Sequence, residues 1–153
     1  MELDPVSPSD IGPIRDFLEQ ADLTLAGLDA PGVRLWVERD GSGHIVGSTG
    51  FELSADARHA LIRSVAVAPE RRTAGSGSRL ARFAMDAARD AGAERAWLFS
   101  RRSGPFWQKL GFAAADRDEL ATALADTHQV RLFVETGQLG REVAWSCALL
   151  DAA

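Results

Sequence analysis

The hexapeptide Arg72-Thr73-Ala74-Gly75-Ser76-Gly77 has the residue types and the spacing of an anion-binding loop. It lies between an apolar run over residues 61–67 and a long helical pattern that opens near Ser76. Helix N-termini present backbone N–H groups without acceptors in the helix, together with the positive end of the helix dipole. The sequence therefore predicts an anion site at this turn. The alternative is a tight turn whose glycines only let the helix pack closely on the sheet.

Two common phosphate-binding loops are excluded by the residues that follow Gly77. A P-loop has Lys and then Ser or Thr at the positions where this chain has Ser78 and Arg79. The dinucleotide-binding fingerprint has a third glycine where Leu80 stands. The pattern that remains is Arg-x-x-Gly-x-Gly.

Composition indicates one globular domain covering residues 1–153. The chain has 46% hydrophobic and 25% charged residues, and its formal net charge of −5 argues against a general nucleic-acid binder. A single cysteine, Cys147, excludes an intramolecular disulfide and a cysteine-based zinc site. The three histidines show no metal-ligand spacing, so we expect no metal. We also expect a cytoplasmic protein with no membrane partner, because neither a signal pattern nor a membrane-spanning apolar run is present.

The elements that must position the loop can be read from hydrophobic periodicity. Alternating patterns predict strands over 33–38, 44–53 and 60–67, joined by polar turns. Helices are predicted from Asp10, over 23–28, over 76–91 and over 118–126, with a short helix before Gly111. Further strands are predicted over 2–6, 94–100 and 142–150, whereas residues 127–141 give no clear pattern. The strand–helix–strand unit around the loop predicts a right-handed crossover between two parallel strands.

Three local motifs together resemble the GNAT N-acetyltransferases over residues 61–112. They are Val65-Ala66-Val67-Ala68-Pro69, the hexapeptide, and Phe106-Trp107-Gln108-Lys109-Leu110-Gly111-Phe112. The resemblance implies an α/β GNAT fold, with a mixed, mostly antiparallel twisted sheet, a parallel splayed strand pair and helices on both faces.

The resemblance also implies acetyl transfer from acetyl-CoA, as co-substrate, to a primary amine that attacks the thioester directly. The pantetheine arm of CoA would pair with the free edge of the strand before the loop, and the pyrophosphate would lie on the loop N–H groups. The CoA-binding residues implied in this way are Val65, Ala66, Val67, Arg72, Thr73, Ala74, Gly75, Ser76, Gly77, Ser78 and Trp107.

Two departures from the family pattern concern affinity and proton transfer. Thr73 and Ala74 stand where a glycine and a basic residue are common, which predicts weaker CoA binding. Trp107 stands where many members have the tyrosine that protonates the leaving thiolate, and the chain contains no tyrosine. An indole N–H donates a hydrogen bond but is not an acid at neutral pH, so that role cannot be assigned to Trp107.

Candidate acceptor-site residues lie on the strands beside the expected gap. Glu52 is predicted to be catalytic, accepting a proton through water, or to hold a substrate ammonium; the alternative is a solvated carboxylate. Arg63 is a charge within an apolar strand and would either clamp a substrate carboxylate or pair with Glu52. Ser64, beside it, completes the predicted substrate-binding set.

Gly-Phe-Glu followed by Ile-Arg-Ser-Val-Ala-Val resembles the small-molecule acetyltransferases grouped with arsenic-resistance genes. That group resembles amino-acid N-acetyltransferases and implies a small-molecule amine as the partner, with a homodimer expected only at the level of the family. Two alternatives stay open. The acceptor could be a protein lysine or N-terminus, or the domain could be a sensor that binds acyl-CoA without turnover.

Overall fold

The computed structural model describes residues 3–72 and 75–149 of the chain. Two of the residues predicted to bind CoA, Thr73 and Ala74, lie outside the described residues. No helix within the described ranges is long and apolar enough to cross a membrane.

A seven-stranded sheet forms the centre of the fold, with its strands in the order β1-β2-β3-β4-β5-β7-β6. The strands are β1 (Asp4–Pro5), β2 (Val33–Arg39), β3 (Ile45–Leu53), β4 (His59–Val67), β5 (Arg95–Phe99), β6 (Ala113–Ala115) and β7 (Ala144–Ala148). All neighbouring strands pair antiparallel except β4 and β5. This mixed sheet confirms the predicted fold class.

Within the described residues, five α-helices cover the two faces of the sheet. They are α1 (Ile11–Gln20), α2 (Ser76–Asp90), α3 (Gly104–Lys109), α4 (Arg117–Ala123) and α5 (His128–Thr136). On β4, Ile62 packs with α2 and α3, whereas Leu61 packs with α4 and α5, as expected for alternating side chains. The helix predicted over 23–28 is wrong. Residues 23–25 are irregular and residues 26–29 form a turn, in which Gly27 takes a left-handed φ of 69°.

The parallel pair is short and then opens. β4 and β5 pair only between His59 and Leu61 on one side and Arg95 and Trp97 on the other. Beyond Leu61, the edge of β4 that faces β5 therefore has no partner strand among the described residues.

A β-bulge marks the point where β4 diverges. The register with β3 shifts between Ser48 and Gly50, and Ser64 opposite takes a left-handed φ of 63°. The Ser48 hydroxyl donates to the Ser64 carbonyl at 2.6 Å. A bulge bends its strand and leaves one residue out of the ladder, so β4 changes direction beside the gap.

Helix α2 is held against this opened strand by small buried side chains and one buried hydrogen bond. Ala81, Ala84 and Ala88 are buried, and their size allows close approach of the helix to the sheet. The Thr49 hydroxyl on β3 donates to the Leu80 carbonyl at 2.7 Å. The N-terminus of α2 is thereby fixed at the mouth of the gap between β4 and β5.

Candidate functional site

The described part of the predicted anion loop, Arg72 and residues 75–77, leads into the N-terminus of α2. Gly75 adopts a left-handed conformation with a φ of 90°, and its carbonyl accepts the Arg79 N–H at 3.0 Å to close the first turn of α2. No side chain caps the helix at Gly75. Helix geometry leaves the first-turn N–H groups, which include those of Gly77 and Ser78, without acceptors inside the helix. Together with the dipole, they favour a negatively charged ligand.

A cavity of about 450 Å³ lies between this N-terminus and the free edge of β4. We call it the loop cavity; it is lined by Ala21, Leu23, Val65, Ala66, Val67, Arg72, Ser76, Gly77, Ser103, Phe106 and Trp107. The structure thus brings together seven of the residues predicted to bind CoA, from β4, the loop, α2 and α3. Ser78 is in the first turn of α2 but does not line the cavity, and Gly75 precedes that turn.

Aromatic side chains close one wall of the loop cavity. Trp107 is buried and makes edge-to-face contacts with Phe106 and Phe112, with ring centroids 5.0 and 5.3 Å apart. A side chain at Gly77 would place its Cβ 3.2 Å from Phe106. The glycine therefore allows the helix N-terminus to approach this aromatic wall closely.

A second cavity, of about 400 Å³, lies next to the first and has a more polar lining. We call it the polar cavity. Its walls are the segment after α1, the end of β5 with the turn that follows, α5, and the side chains of Gln138 and Glu142. Ala21, Leu23 and Ser103 line both cavities, so the two spaces meet where β5 gives way to α3.

Glu52 and Arg63 form a buried ion pair across β3 and β4. The Arg63 guanidinium donates to Glu52 Oε2 at 2.9 Å, and the two side chains are 0% and 3% exposed. Burial lowers the pKa of Arg63, and the neighbouring Glu52 charge opposes that shift. The sequence left two partners open for Arg63, a substrate carboxylate and Glu52. In the structure, Arg63 pairs with Glu52.

The same carboxylate also receives the start of α5. The backbone N–H groups of His128 and Gln129 donate to it at 2.6 and 3.2 Å, and His128 Nδ1 lies 2.9 Å from Oε1. Glu52 therefore fixes the N-terminus of α5 on the sheet. Neither Glu52, Arg63 nor Ser64 lines either cavity. Direct substrate contact by these three residues stays a prediction.

Gln129 was not among the site residues predicted from the sequence. It lines the polar cavity, is 9% exposed, and its side-chain amide oxygen is buried without a hydrogen-bond partner among the described residues. The signal that could have located it is the N-cap at Thr127, whose hydroxyl accepts the Val130 N–H. A cap there predicts a helix through the segment that had no clear pattern.

Cys147 does not contribute a nucleophile to either cavity. Burial raises the pKa of the Cys147 thiol, which disfavours the reactive thiolate near neutral pH. In the described ranges, no group of three or more His, Cys, Asp or Glu side chains is arranged to hold a metal ion.

Comparison with known proteins places this geometry in a family context. A family model described as the acetyltransferase (GNAT) family matches residues 3–112. No curated protein matches the chain significantly.

Solved structures similar to the chain include acetyltransferases with different acceptors. One is N-acetylglutamate synthase from Neisseria gonorrhoeae complexed with coenzyme A and N-acetyl-glutamate, with 19% identity and a TM-score of 0.70 over 99% of this chain. This chain spans only 36% of that protein. Another is an acetyltransferase of the GNAT family from Staphylococcus aureus Mu50, with 13% identity, a TM-score of 0.72, and coverage of 97% of this chain and 100% of that one.

A third is an aminoglycoside 6'-N-acetyltransferase complexed with coenzyme A. It has 12% identity and a TM-score of 0.70, with coverage of 100% of this chain and 99% of that one. At these identities the likeness concerns the fold.

Proposed function

The chain belongs to the GNAT family of acetyltransferases, and we propose that it transfers an acetyl group from acetyl-CoA to the primary amine of a small molecule, an amino acid or a close analogue. The observation that carries this proposal is the junction of the loop cavity with the polar cavity at Ala21, Leu23 and Ser103. A thioester held in the first space meets an amine held in the second at that junction.

The loop cavity fits the chemical parts of acetyl-CoA in order. The N-terminus of α2 suits the pyrophosphate, because first-turn N–H groups and the helix dipole favour negative charge. The free edge of β4 beyond Leu61 suits the amide groups of the pantetheine arm, which can hydrogen-bond as an added strand does. The residues that would hold the co-substrate are Val65, Ala66 and Val67 on the strand with Arg72 and the first turn of the helix.

Acetyl-CoA supplies an acetyl group activated as a thioester. The amine nitrogen forms a bond to the carbonyl carbon, and the carbon–sulfur bond breaks. The nitrogen loses one proton, and the CoA thiolate takes up one proton to become the free thiol. The chain contributes by holding both reactants at the junction and by offering backbone N–H groups near the bulge to the carbonyl oxygen. Loss of one such donor typically costs about 3 kcal/mol in transition-state stabilisation.

An amino acid as acceptor is supported by the size and polarity of the second cavity. A space of about 400 Å³ with a polar lining suits a small charged molecule. The similar Neisseria enzyme, complexed with N-acetyl-glutamate, has an amino-acid product, which is consistent with the same class here.

A second function, acyl-CoA binding without turnover, is favoured by one specific observation. Buried Trp107 lines the loop cavity where many family members have an acidic tyrosine. In the enzymatic function, the leaving thiolate would instead be protonated by water or by a hydroxyl such as that of Ser103, which lines both cavities.

Thiol release across a panel of free amino acids and simple amines separates the two functions. The expected result is amine-dependent release of CoA thiol together with formation of an N-acetylated product. Calorimetric binding of acetyl-CoA without thiol release for any amine would support the sensor function and overturn the enzymatic one. Gly41→Ala serves as the control for effects of substitution that do not involve the site, because Gly41 lies in an exposed turn with open space around it.

A further inference from the structure

We infer that the polar cavity binds a small zwitterion, whose amine donates a hydrogen bond to the side-chain amide oxygen of Gln129 and whose carboxylate pairs with Arg102. This inference rests on the proposed function and names the groups that select its acceptor. The sequence predicted that Glu52 would bind the substrate ammonium and Arg63 its carboxylate. The inference assigns these two roles to Gln129 and Arg102.

The first observation is the unpartnered amide oxygen of Gln129. A buried carbonyl oxygen without a donor is unfavourable, and such groups in native proteins are nearly always satisfied. Gln129 lines the polar cavity, and the oxygen itself is covered in the structure. A rotation of the side-chain amide would bring the oxygen to a ligand in the cavity, which would supply the missing N–H. An amide oxygen accepts a hydrogen bond from the ammonium or from the neutral amine, but takes no proton at neutral pH. Once the ammonium has lost one proton to water, the oxygen can hold the amine and leave the nitrogen lone pair for attack.

The second observation is the way in which Gln129 is positioned. Its backbone N–H donates to Glu52, and Glu52 is paired with Arg63. Arg63 directly precedes the bulge at Ser64, and its Nε lies 3.3 Å from the Ser64 hydroxyl. The buried pair therefore fixes Gln129 close to the point where β4 opens, and Glu52 acts as a positioning residue.

The third observation is the balance of charge around the polar cavity. Four charged side chains line it, and two of them, Arg101 and Glu142, pair with each other at 3.4 Å. Gln138 also donates to Glu142, at 3.0 Å. Among the described residues, the remaining two, Asp22 and Arg102, form no ion pair.

One unpaired charge of each sign is the complement of a zwitterion. Arg102 immediately precedes Ser103, which lies at the junction of the two cavities. A carboxylate on Arg102 therefore keeps an α-amino group near the thioester. Asp22 adds a negative charge that favours the ammonium form while the ligand enters.

Gln129→Leu tests the amine contact. It introduces an apolar side chain of similar size and removes the amide oxygen. For the best amino acid of the panel, we expect an increase of about ten- to a hundredfold in KM, as expected for losing a hydrogen bond to an amine. The KM for acetyl-CoA stays unchanged. Calorimetry of the same amino acid with the CoA-saturated enzyme gives an equal loss of affinity. Gln108→Leu, on the exposed side of α3, is the matched control.

Arg102→Gln tests the carboxylate contact by comparing each amino acid with its decarboxylated amine. The unmodified enzyme prefers the amino acid, and the variant loses about tenfold or more in kcat/KM for the amino acid while its activity with the amine is unchanged. Arg82→Gln is the matched control, because Arg82 is exposed on α2 and lines neither cavity.

The outcomes separate this inference from the proposed function. If no amine supports thiol release, the proposed function fails. If amines react but Gln129→Leu leaves the acceptor KM and the calorimetric affinity unchanged, the inferred site is wrong while the function stands. A preference of the unmodified enzyme for decarboxylated amines, or an unchanged preference in Arg102→Gln, equally overturns the zwitterion.

Discussion

Replacing Glu52 by Gln is the sharpest test of how the site is built. The Glu52 carboxylate accepts from the Arg63 guanidinium, from two backbone N–H groups of α5, and lies against His128 Nδ1. A glutamine has one acceptor oxygen and one NH₂ group. In either orientation the NH₂ faces a backbone donor of α5, and the buried Arg63 loses its counter-charge.

The expected cost follows from this geometry. Breaking a buried ion pair by removing one partner typically destabilises a protein by about 3–5 kcal/mol. We therefore expect Glu52→Gln to lose about that much free energy of unfolding in urea denaturation. Asp86→Asn is the control, because its pair with Arg89 is at the surface, where such pairs contribute about 0–1 kcal/mol. A loss below about 1 kcal/mol in Glu52→Gln would refute the reasoning.

The same variant separates a base from a positioning residue. If Glu52 removes a proton during transfer, the variant lowers kcat and loses the acidic limb of the pH profile. If Glu52 acts by fixing α5 and Gln129, the variant raises the acceptor KM and keeps the shape of the pH profile. We expect the second result, measured at a temperature where the variant remains folded. Arg63→Met should give the same kinetic pattern, because it disturbs the same pair.

Three further predictions concern the loop, the aromatic wall and the acid stability of the fold. Gly75→Ala must adopt a φ near 90°, which costs about 1–2 kcal/mol, and it should raise the KM for acetyl-CoA, whereas Gly41→Ala should change neither property. Trp107→Phe should leave the pH dependence of kcat unchanged, because an indole does not ionise; loss of an alkaline limb would contradict this. Hydrogen bonds from the Ser7 N–H and, to a smaller extent, from Arg39 lower the pKa of Asp10 in the folded state. The contribution of Asp10 to the free energy of unfolding is therefore present above the unfolded pKa of about 3.8 and is lost as pH falls through the lower folded pKa. Asp10→Asn should therefore flatten the stability curve below about pH 4, measured by denaturation at each pH.

The sheet and the loop could be predicted because their signals are local. Alternating side chains define β3 and β4, and the burial of Leu61 and Ile62 on opposite faces confirms that reading. Helix α2 is predicted by alanines at helical spacing, and the structure begins it at Ser76 as expected. The turn segment over 23–28 was predicted wrongly. Its leucines have the spacing of a helical face. In the structure, however, Gly27 lies against His128, and a Cβ on Gly27 would be 2.5 Å from the ring atom Cγ of His128.

The acceptor side could not be predicted because its contacts join distant parts of the chain. Glu52 and Gln129 are 77 residues apart, and no local pattern marks their hydrogen bond. Arg63 looked equally suited to a substrate carboxylate and to Glu52, since type and spacing do not distinguish a free guanidinium from a paired one. Burial of both side chains, visible only in the fold, favours the pair.

The two halves of the site therefore differ in how they can vary. The loop cavity combines the aromatic wall of Phe106 and Trp107 with the edge of β4 and the start of α2. The backbone groups of those two elements are presented by any sequence that preserves the bulge and Gly75. The polar cavity includes Gln129 of α5, and the carboxylate of the buried ion pair binds the start of that helix. A substitution at Gln129 or Arg102 can therefore change the acceptor without disturbing the co-substrate, whereas a substitution at Glu52 affects acceptor recognition and stability together.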